Sequence, residues 1–345
     1  MFGIIVNHLA LYPNLLAVFT GATKLWVSMA EGFFMVSGFF IGYLYKEKIK
    51  HSFKEVFKKL SLRSLRLYLW TVYLTILFTY WGNLMPIGSV KESLWIVKQS
   101  NLLEFVSKVI TYRYTYGWAD LLPIYSIFLI ISPFYLWSLS KGYWKFLLLV
   151  NILVWIFRSE SIYLSIQILF FMATIVGFYY DKVALYWKKM ETKKQLKLVR
   201  AINWSFLLSF VACLFSVFLF NKLVKNTPLA DYFIAKNKVL NWYFDKQTVG
   251  LGRLILSPLW FLSGLFIFTS LEKQIKRYLG WLLLVFGKNS LYAYILHAFI
   301  IYPIPFLVQF YNIGGVWWNT TITVLAVSLI YLFLYFSSEA FKRRF

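Results

Sequence analysis

Charge is scarce in this 345-residue chain: Asp, Glu, Lys and Arg make up 14% of it, where a soluble domain carries roughly a quarter. A surface so poor in charge faces something other than water, and 60% hydrophobic with 22% aromatic residues points to lipid. Acidic residues are scarcer still, 13 against 36 Lys plus Arg, for a formal net charge of +23. In a soluble protein that excess would indicate nucleic acid. Here the bases are grouped in short loops between apolar runs, as the positive-inside rule requires. The lipid bilayer, with its anionic surface, is therefore the expected partner, and no nucleic acid is expected. Cysteine occurs once, at Cys213, which excludes an intramolecular disulfide and a Cys-based metal site. The histidines, His8, His51 and His297, stand far apart without metal-ligand spacing, so no metal is expected. No basic region precedes the first apolar run and no small-residue cleavage site stands out, so a cleavable signal peptide is not expected.

What is abundant is apolar runs near the ~20 residues that cross a bilayer as a helix. In order, they place spans near Met1–Tyr12, Leu25–Tyr45, Leu67–Met85, Asp120–Leu139 and Trp144–Phe157. Further spans follow near Tyr163–Tyr180, Ile202–Phe220, Val249–Leu271, Ser290–Phe310 and Val316–Phe336. The expected fold is thus an all-α, polytopic membrane bundle of about ten transmembrane helices forming one domain over residues 1–345. Trp281–Gly287 is too short to cross and reads as a dip into the membrane or a helix start. Basic clusters at Lys46–Arg66, Lys141–Lys145, Lys182–Arg200, Lys273–Arg277 and Lys342–Arg344 alternate with the other loops. They predict a multi-pass protein of the plasma or inner membrane with both termini cytoplasmic. The outer loops Pro86–Ala119 and Asn221–Thr248 are long, mixed in charge and aromatic. In the first, Leu94, Val97, Leu102, Phe105, Val106, Val109 and Ile110 recur at roughly helical spacing, which predicts an interfacial helix. Met1 to Pro13 is too short for ~30 Å at ~1.5 Å per residue, so the first helix reads as truncated at its start.

Polar residues inside a span are costly and face the bundle interior, which makes them functional candidates. Counting from the outer ends at ~1.5 Å per residue, His8 lies about 7 Å down, Glu31 about 9 Å and Gln167 about 10 Å. Asp120 and Arg253 fall at or just below the rim, so five polar groups from five helices share one outer layer. By the same count His297 lies about 20 Å below the outer face. Pro303 and Pro305 after it are expected to break the helix there. Each residue also has a plain structural reading. A His8–Glu31 pair fits a satisfied hydrogen bond, Asp120 a helix N-cap, Gln167 interhelical glue, and Arg253 snorkelling to headgroups. His297 fits a core residue bonded to a backbone carbonyl. Gly38 and Gly42 fit close helix packing better than ligand binding. Asn319-Thr320-Thr321 matches a glycosylation sequon but falls at a span.

Several segments resemble the OpgC-like family, related to the type-three acyltransferases of the transmembrane acyltransferase superfamily. They are Val-Asn-His-Leu at 6–9, Trp-Val-Ser-Met-Ala-Glu-Gly-Phe-Phe-Met-Val-Ser-Gly at 26–38, and Tyr-Gly-Trp-Ala-Asp-Leu-Leu-Pro at 116–123. Gln-Ile-Leu-Phe-Phe at 167–171 and Gly-Lys-Asn-Ser-Leu-Tyr-Ala-Tyr-Ile-Leu-His at 287–297 continue the series in order along nearly the whole chain. The resemblance implies a membrane-embedded O-acyltransferase that moves an acyl group from cytoplasmic acyl-CoA to a hydroxyl of an extracytoplasmic glycan. It implies acyl-CoA as co-substrate, with no bound cofactor. By motif matching, His8 corresponds to the catalytic histidine of the first span and His297 to the histidine closing the Gly-x-Asn-Ser-Leu-Tyr motif. The family's basic residue and Asp upstream of the first histidine would precede Met1.

Together these readings predict His8 as general base, suited by an ordinary imidazole pKa of about 6.5, with Glu31 orienting its ring. Asp120, Gln167 and Arg253 are expected to bind the acceptor, and His297, Lys288 and Asn289 to lie toward the acyl donor. The alternative class is a transporter or flippase for a glycan or lipid-linked anion, which would be expected to show internal repeats; no convincing one is present.

Overall fold

Long apolar segments can shed backbone polarity in lipid only by bonding internally, which favours helix wherever they occur. The computed structural model describes residues 1–16, 20–21, 25–84, 101–216, 239–240, 242–304, 308 and 314–342, and among these every regular element is helical. The main helices in chain order begin with α1 (Phe2–Leu9), α2 (Met29–Tyr45), α3 (Phe53–Leu84), α4 (Leu102–Ile110) and α5 (Leu121–Ser140). Next come α6 (Trp144–Ile156), α7 (Ile162–Phe178), α8 (Tyr180–Lys189) and α9 (Thr192–Leu214). The last are α10 (Leu251–Ser270), α11 (Glu272–Lys288), α12 (Ser290–Ile301) and α13 (Val316–Lys342). Their ends follow local chemistry. Ala10 at φ 49° closes α1, and Gly142 at φ 85° supplies the left-handed residue between α5 and α6. α12 stops at Ile301, two residues before Pro303, as the proline predicts; Pro305 lies outside the described residues.

Among the described residues, four helices are long and apolar enough to cross a membrane: Gly117–Ser140, Thr192–Leu214, Leu251–Ser270 and Val316–Ser337. Two bent pairs raise the number to as many as six, α7 with α8 at 64° and α11 with α12 at 88°. The described residues of this membrane protein are all-helical in their regular structure, with four to six candidate spans among them where about ten were expected over the whole chain. Length accounts for part of the shortfall. α1 has 8 residues, α6 has 13 and α2 has 17, against the ~20 a straight span needs. α3 has 32 residues but opens with Lys54, Glu55, Lys58, Lys59, Arg63 and Arg66. The segment Trp281–Gly287 lies in α11, just before the 88° turn. The expected interfacial helix is α4, capped by the Asn101 side chain, with Phe105 and Val109 buried and Leu102 and Leu103 exposed. Leu94 and Val97 lie outside the described residues.

The chain divides into two compact units, each drawn from separate stretches of sequence. The first holds Met1–Ala22, Lys59–Ile130 and Lys276–Phe345. Its core joins Ile5 and Leu9 of α1, Phe286 of α11, Ala293 and Ile301 of α12, and Val327 and Ile330 of α13. A polar clamp fixes the segment after α1 to the start of α13. Asn14 Nδ2 donates to Thr323 Oγ1 at 2.6 Å, and Asn319 Nδ2 donates to the Pro13 carbonyl at 3.0 Å. The sequon asparagine is therefore buried and occupied.

The second unit holds Thr23–Lys58 and Ile131–Ile275. Here α2 and α7 touch backbone to backbone. A Cβ on Gly38 would collide with the Phe170 carbonyl, one on Gly42 with the Thr174 carbonyl, and one on Gly177 with the Phe39 carbonyl. The two α2 glycines thus serve close packing, as their spacing predicts.

Candidate active site

α1 is short, and its buried face (Ile5, Val6, Leu9) anchors it while His8, in its last turn, remains half-buried. On α12 the pattern Ala293, Tyr294, His297, Ala298, Ile301 makes one fully buried face, and His297 has no exposed surface. The two faces meet at their histidines. His8 Nδ1 lies 2.9 Å from His297 Nε2, with ring centroids 5.1 Å apart.

The tautomers follow from the partners. His297 Nδ1 faces the carbonyl of Tyr294, which only accepts, so Nδ1 carries the proton. Nε2 of the neutral ring is then the acceptor, and His8 Nδ1–H is the donor across the 2.9 Å contact. A neutral His8 in that tautomer keeps its basic lone pair on Nε2. The assignment rests on the hydrogen-bond pattern.

Tyr294 backs this pair. Its ring lies 4.5 Å from His297 and 6.2 Å, edge-on, from His8. Its hydroxyl donates to Asp120 Oδ1 at 3.0 Å and accepts from the Leu121 amide at 3.4 Å. Asp120 itself is exposed at the head of α5. Beside His8, the side-chain carbonyl of Asn7 is buried with no hydrogen-bond partner among the described residues. An orphaned buried acceptor of this kind is uncommon in a folded protein. Sequence reading noted Asn7 and Tyr294 only as neighbours within motifs; their position in the two histidine segments was the available signal.

The second unit holds a different polar pair. Glu31 and Arg253 are 2% and 4% exposed and meet at 2.7 Å, Arg253 Nη1 to Glu31 Oε1. Every arm of the guanidinium is used, Nε on the Phe244 carbonyl and Nη2 on the Leu25 carbonyl. Glu31 Oε2 accepts from Ser257 Oγ at 3.1 Å and from the Ser28 amide at 2.8 Å. Both residues expected in the outer polar layer are thus brought together, but with each other. Within its unit the Glu31 carboxylate accepts from Arg253, Ser257 and the Ser28 amide, while within the other unit His8 contacts His297.

The remaining candidates each have partners of their own. Gln167 donates from Nε2 to the Asn151 carbonyl, and Asn151 Nδ2 donates to Tyr135 Oη at 2.7 Å. That ties α7, α6 and α5 together, the interhelical role. Lys288 is exposed at the end of α11, and Asn289 Nδ2 caps it by donating to the Val285 carbonyl at 3.0 Å. Eight residues of helix, about 12 Å, separate Asn289 from His297. The expected depth gap between His8 and His297 is corrected, since they are in contact. The count behind it assumed one straight helix from Ser290 to Phe310, whereas α12 has 12 residues and follows an 88° turn. Among the described residues no cluster of three His, Cys, Asp or Glu side chains is placed to hold a metal ion.

The fold and this site define a helical membrane protein with a buried histidine pair, one member of which is reachable. The chain belongs to the family described as OpgC protein, which it matches over residues 1–342. That family is associated with transferase activity on glycans. Neither a curated protein nor a solved structure matches the chain.

Proposed function

We propose that this protein is an O-acyltransferase that moves an acyl group from cytoplasmic acyl-CoA to a hydroxyl of an extracytoplasmic glycan. His8 is the general base. The observation that carries this reading is the His8–His297 contact, in which a fully buried imidazole holds the ring of a half-buried one.

In the reaction, His8 Nε2 takes the proton of the acceptor hydroxyl as its oxygen attacks the thioester carbonyl. The carbon–sulfur bond then breaks, the acyl group remains on the glycan oxygen, and the proton on His8 passes to the departing CoA sulfur. His297 positions His8 and accepts from its Nδ1–H, so that Nε2 is the nitrogen presented to substrate. The Asn7 side-chain carbonyl accepts from a second hydroxyl of the acceptor, and exposed Asp120 extends the same sugar-binding surface. Lys288 and Asn289, at the α11–α12 turn, belong to the donor side. The protein lies in the plasma or inner membrane with both termini in the cytoplasm, the arrangement favoured by its basic loops.

The test is CoA thiol release by the purified full chain in detergent, given acetyl-CoA or succinyl-CoA and a mixed glucan acceptor. Release that requires the acceptor and is lost in His8→Ala supports the reading. Absence of release across several donors, from folded protein, refutes it and favours transport.

A further inference from the structure

In the second unit, α2 and α10 run away from a common fixed point. At one end Glu31 is locked to Arg253 and Ser257. Beyond that latch each helix carries an apolar stripe at i, i+3, i+4 and i+7, the spacing of one helix face. On α2 it is Val36, Phe39, Phe40 and Tyr43. On α10 it is Phe261, Gly264, Leu265 and Phe268. Two such stripes ordinarily interlock, but these line a cavity of about 600 Å³ instead. Gly264 deepens it, because even a Cβ there would meet nothing within 4 Å.

The end away from the latch differs from the walls. Tyr180, placed by the 64° turn between α7 and α8, packs edge-on against Tyr43 at 5.4 Å and Phe39 at 5.5 Å. Above Tyr43 stands Lys46, its Nζ 4.3 Å from the ring centroid and 2.5 Å from Asp181 Oδ2. Lys182 follows, with Nζ 5.2 Å from the Tyr179 ring. The cleft is therefore carbon-lined along its length, and its tyrosine end borders the Lys46–Asp181 ion pair with Lys182 the next residue along the chain. That is the pattern of an amphiphile with a long hydrocarbon chain and an anionic head.

We propose that the cleft between α2 and α10 binds an anionic phospholipid, one acyl chain lying along the two stripes and the phosphate at Lys46 and Lys182. Charge complementarity selects this occupant: the mouth sits in a basic segment, and anionic lipid concentrates against such segments. The site is independent of the histidine pair and stands whether or not the protein transfers acyl groups.

Native mass spectrometry of the full chain, released from bilayers of equal phosphatidylglycerol and phosphatidylcholine, tests it. Wild type is expected to retain one phosphatidylglycerol. Gly264→Leu, which fills open space without a clash, is expected to lower that occupancy at least tenfold while the protein stays folded by circular dichroism. Lys46→Ala is expected to keep a lipid but bind the two headgroups about equally. Retention of phosphatidylglycerol by folded Gly264→Leu overturns the proposal. So does a dimer that Gly264→Leu abolishes with lipid content unchanged, which assigns the cleft to a second copy.

Discussion

Two polar pairs among the described residues, Glu31 with Arg253 in one unit and His8 with His297 in the other, differ in how deeply they are enclosed. Glu31–Arg253 is charged and saturated: the named partners occupy both carboxylate oxygens and all three guanidinium nitrogens. His8–His297 is uncharged in the assigned tautomers, one ring has surface, and next to it the Asn7 carbonyl has no partner among the described residues. A pair this deeply buried, with each guanidinium nitrogen and each carboxylate oxygen engaged by the protein, serves to hold α2, α10 and the chain around Leu25 and Phe244. A half-buried histidine held by a fully buried one, with an orphaned acceptor beside it, keeps a titratable ring that still has surface. Polarity within an apolar run, the property that singles out both pairs in a sequence, does not separate them; enclosure does.

The sharpest way to break this contrast is to remove one member of each pair and read activity and stability separately. His8→Ala should lower acceptor-dependent CoA release by about 10²- to 10⁴-fold, the range for a lost general base, while thermal unfolding in detergent barely moves. Glu31→Ala should do the opposite. Stranding a buried guanidinium costs about 3–5 kcal/mol, which should appear as poor folded yield and a much lower unfolding temperature. Replacing both partners, Glu31→Gln with Arg253→Met, should recover much of that loss, and failure to recover would mark the pair as more than a latch.

Smaller effects refine the boundary between the two regions. Tyr294→Phe keeps the backbone carbonyl that faces His297 Nδ1 and removes only the hydroxyl bonded to Asp120. The hydroxyl also accepts from the Leu121 amide, and a net loss of about 1 kcal/mol in transition-state stabilisation, roughly five- to tenfold in kcat/KM, is expected when its hydrogen bonds go. Gln167→Leu should cost the least, about 0.6 kcal/mol for an interhelical bond in a membrane protein, with CoA release unchanged. A large loss of activity in this last variant would return Gln167 to the acceptor site.

Much of the fold was legible in the sequence. The apolar runs around Asp120–Leu139, Ile202–Phe220, Val249–Leu271 and Val316–Phe336 coincide with the four straight candidate spans. Gly38 and Gly42 were legible as packing residues because only a missing Cβ permits that backbone approach. The turns were not. A hydropathy run records how much apolar chain there is but not where its axis bends, so Tyr163–Tyr180 and Ser290–Phe310 read as straight spans, although the short run Trp281–Gly287 did read as a dip or a helix start. The candidate site was legible as a set of residues and illegible as a set of partners. Counting residues from a helix end estimates depth, and depth leaves open which way a side chain points and which neighbour it meets. His8, Glu31 and Arg253 were placed in one layer, and the fold then sent His8 to His297 and Glu31 to Arg253.

By itself, then, the sequence determined that this is a helical membrane protein and which few polar residues its apolar helices carry. Both follow from local physics: unpaired backbone is intolerable in lipid, and each ionisable group there needs a reason to remain. Tertiary structure alone decided that two histidines 289 positions apart share a hydrogen bond while a Glu and an Arg 222 positions apart neutralise each other. Those choices depend on an 88° turn and on which helix faces pack, and no local periodicity encodes either.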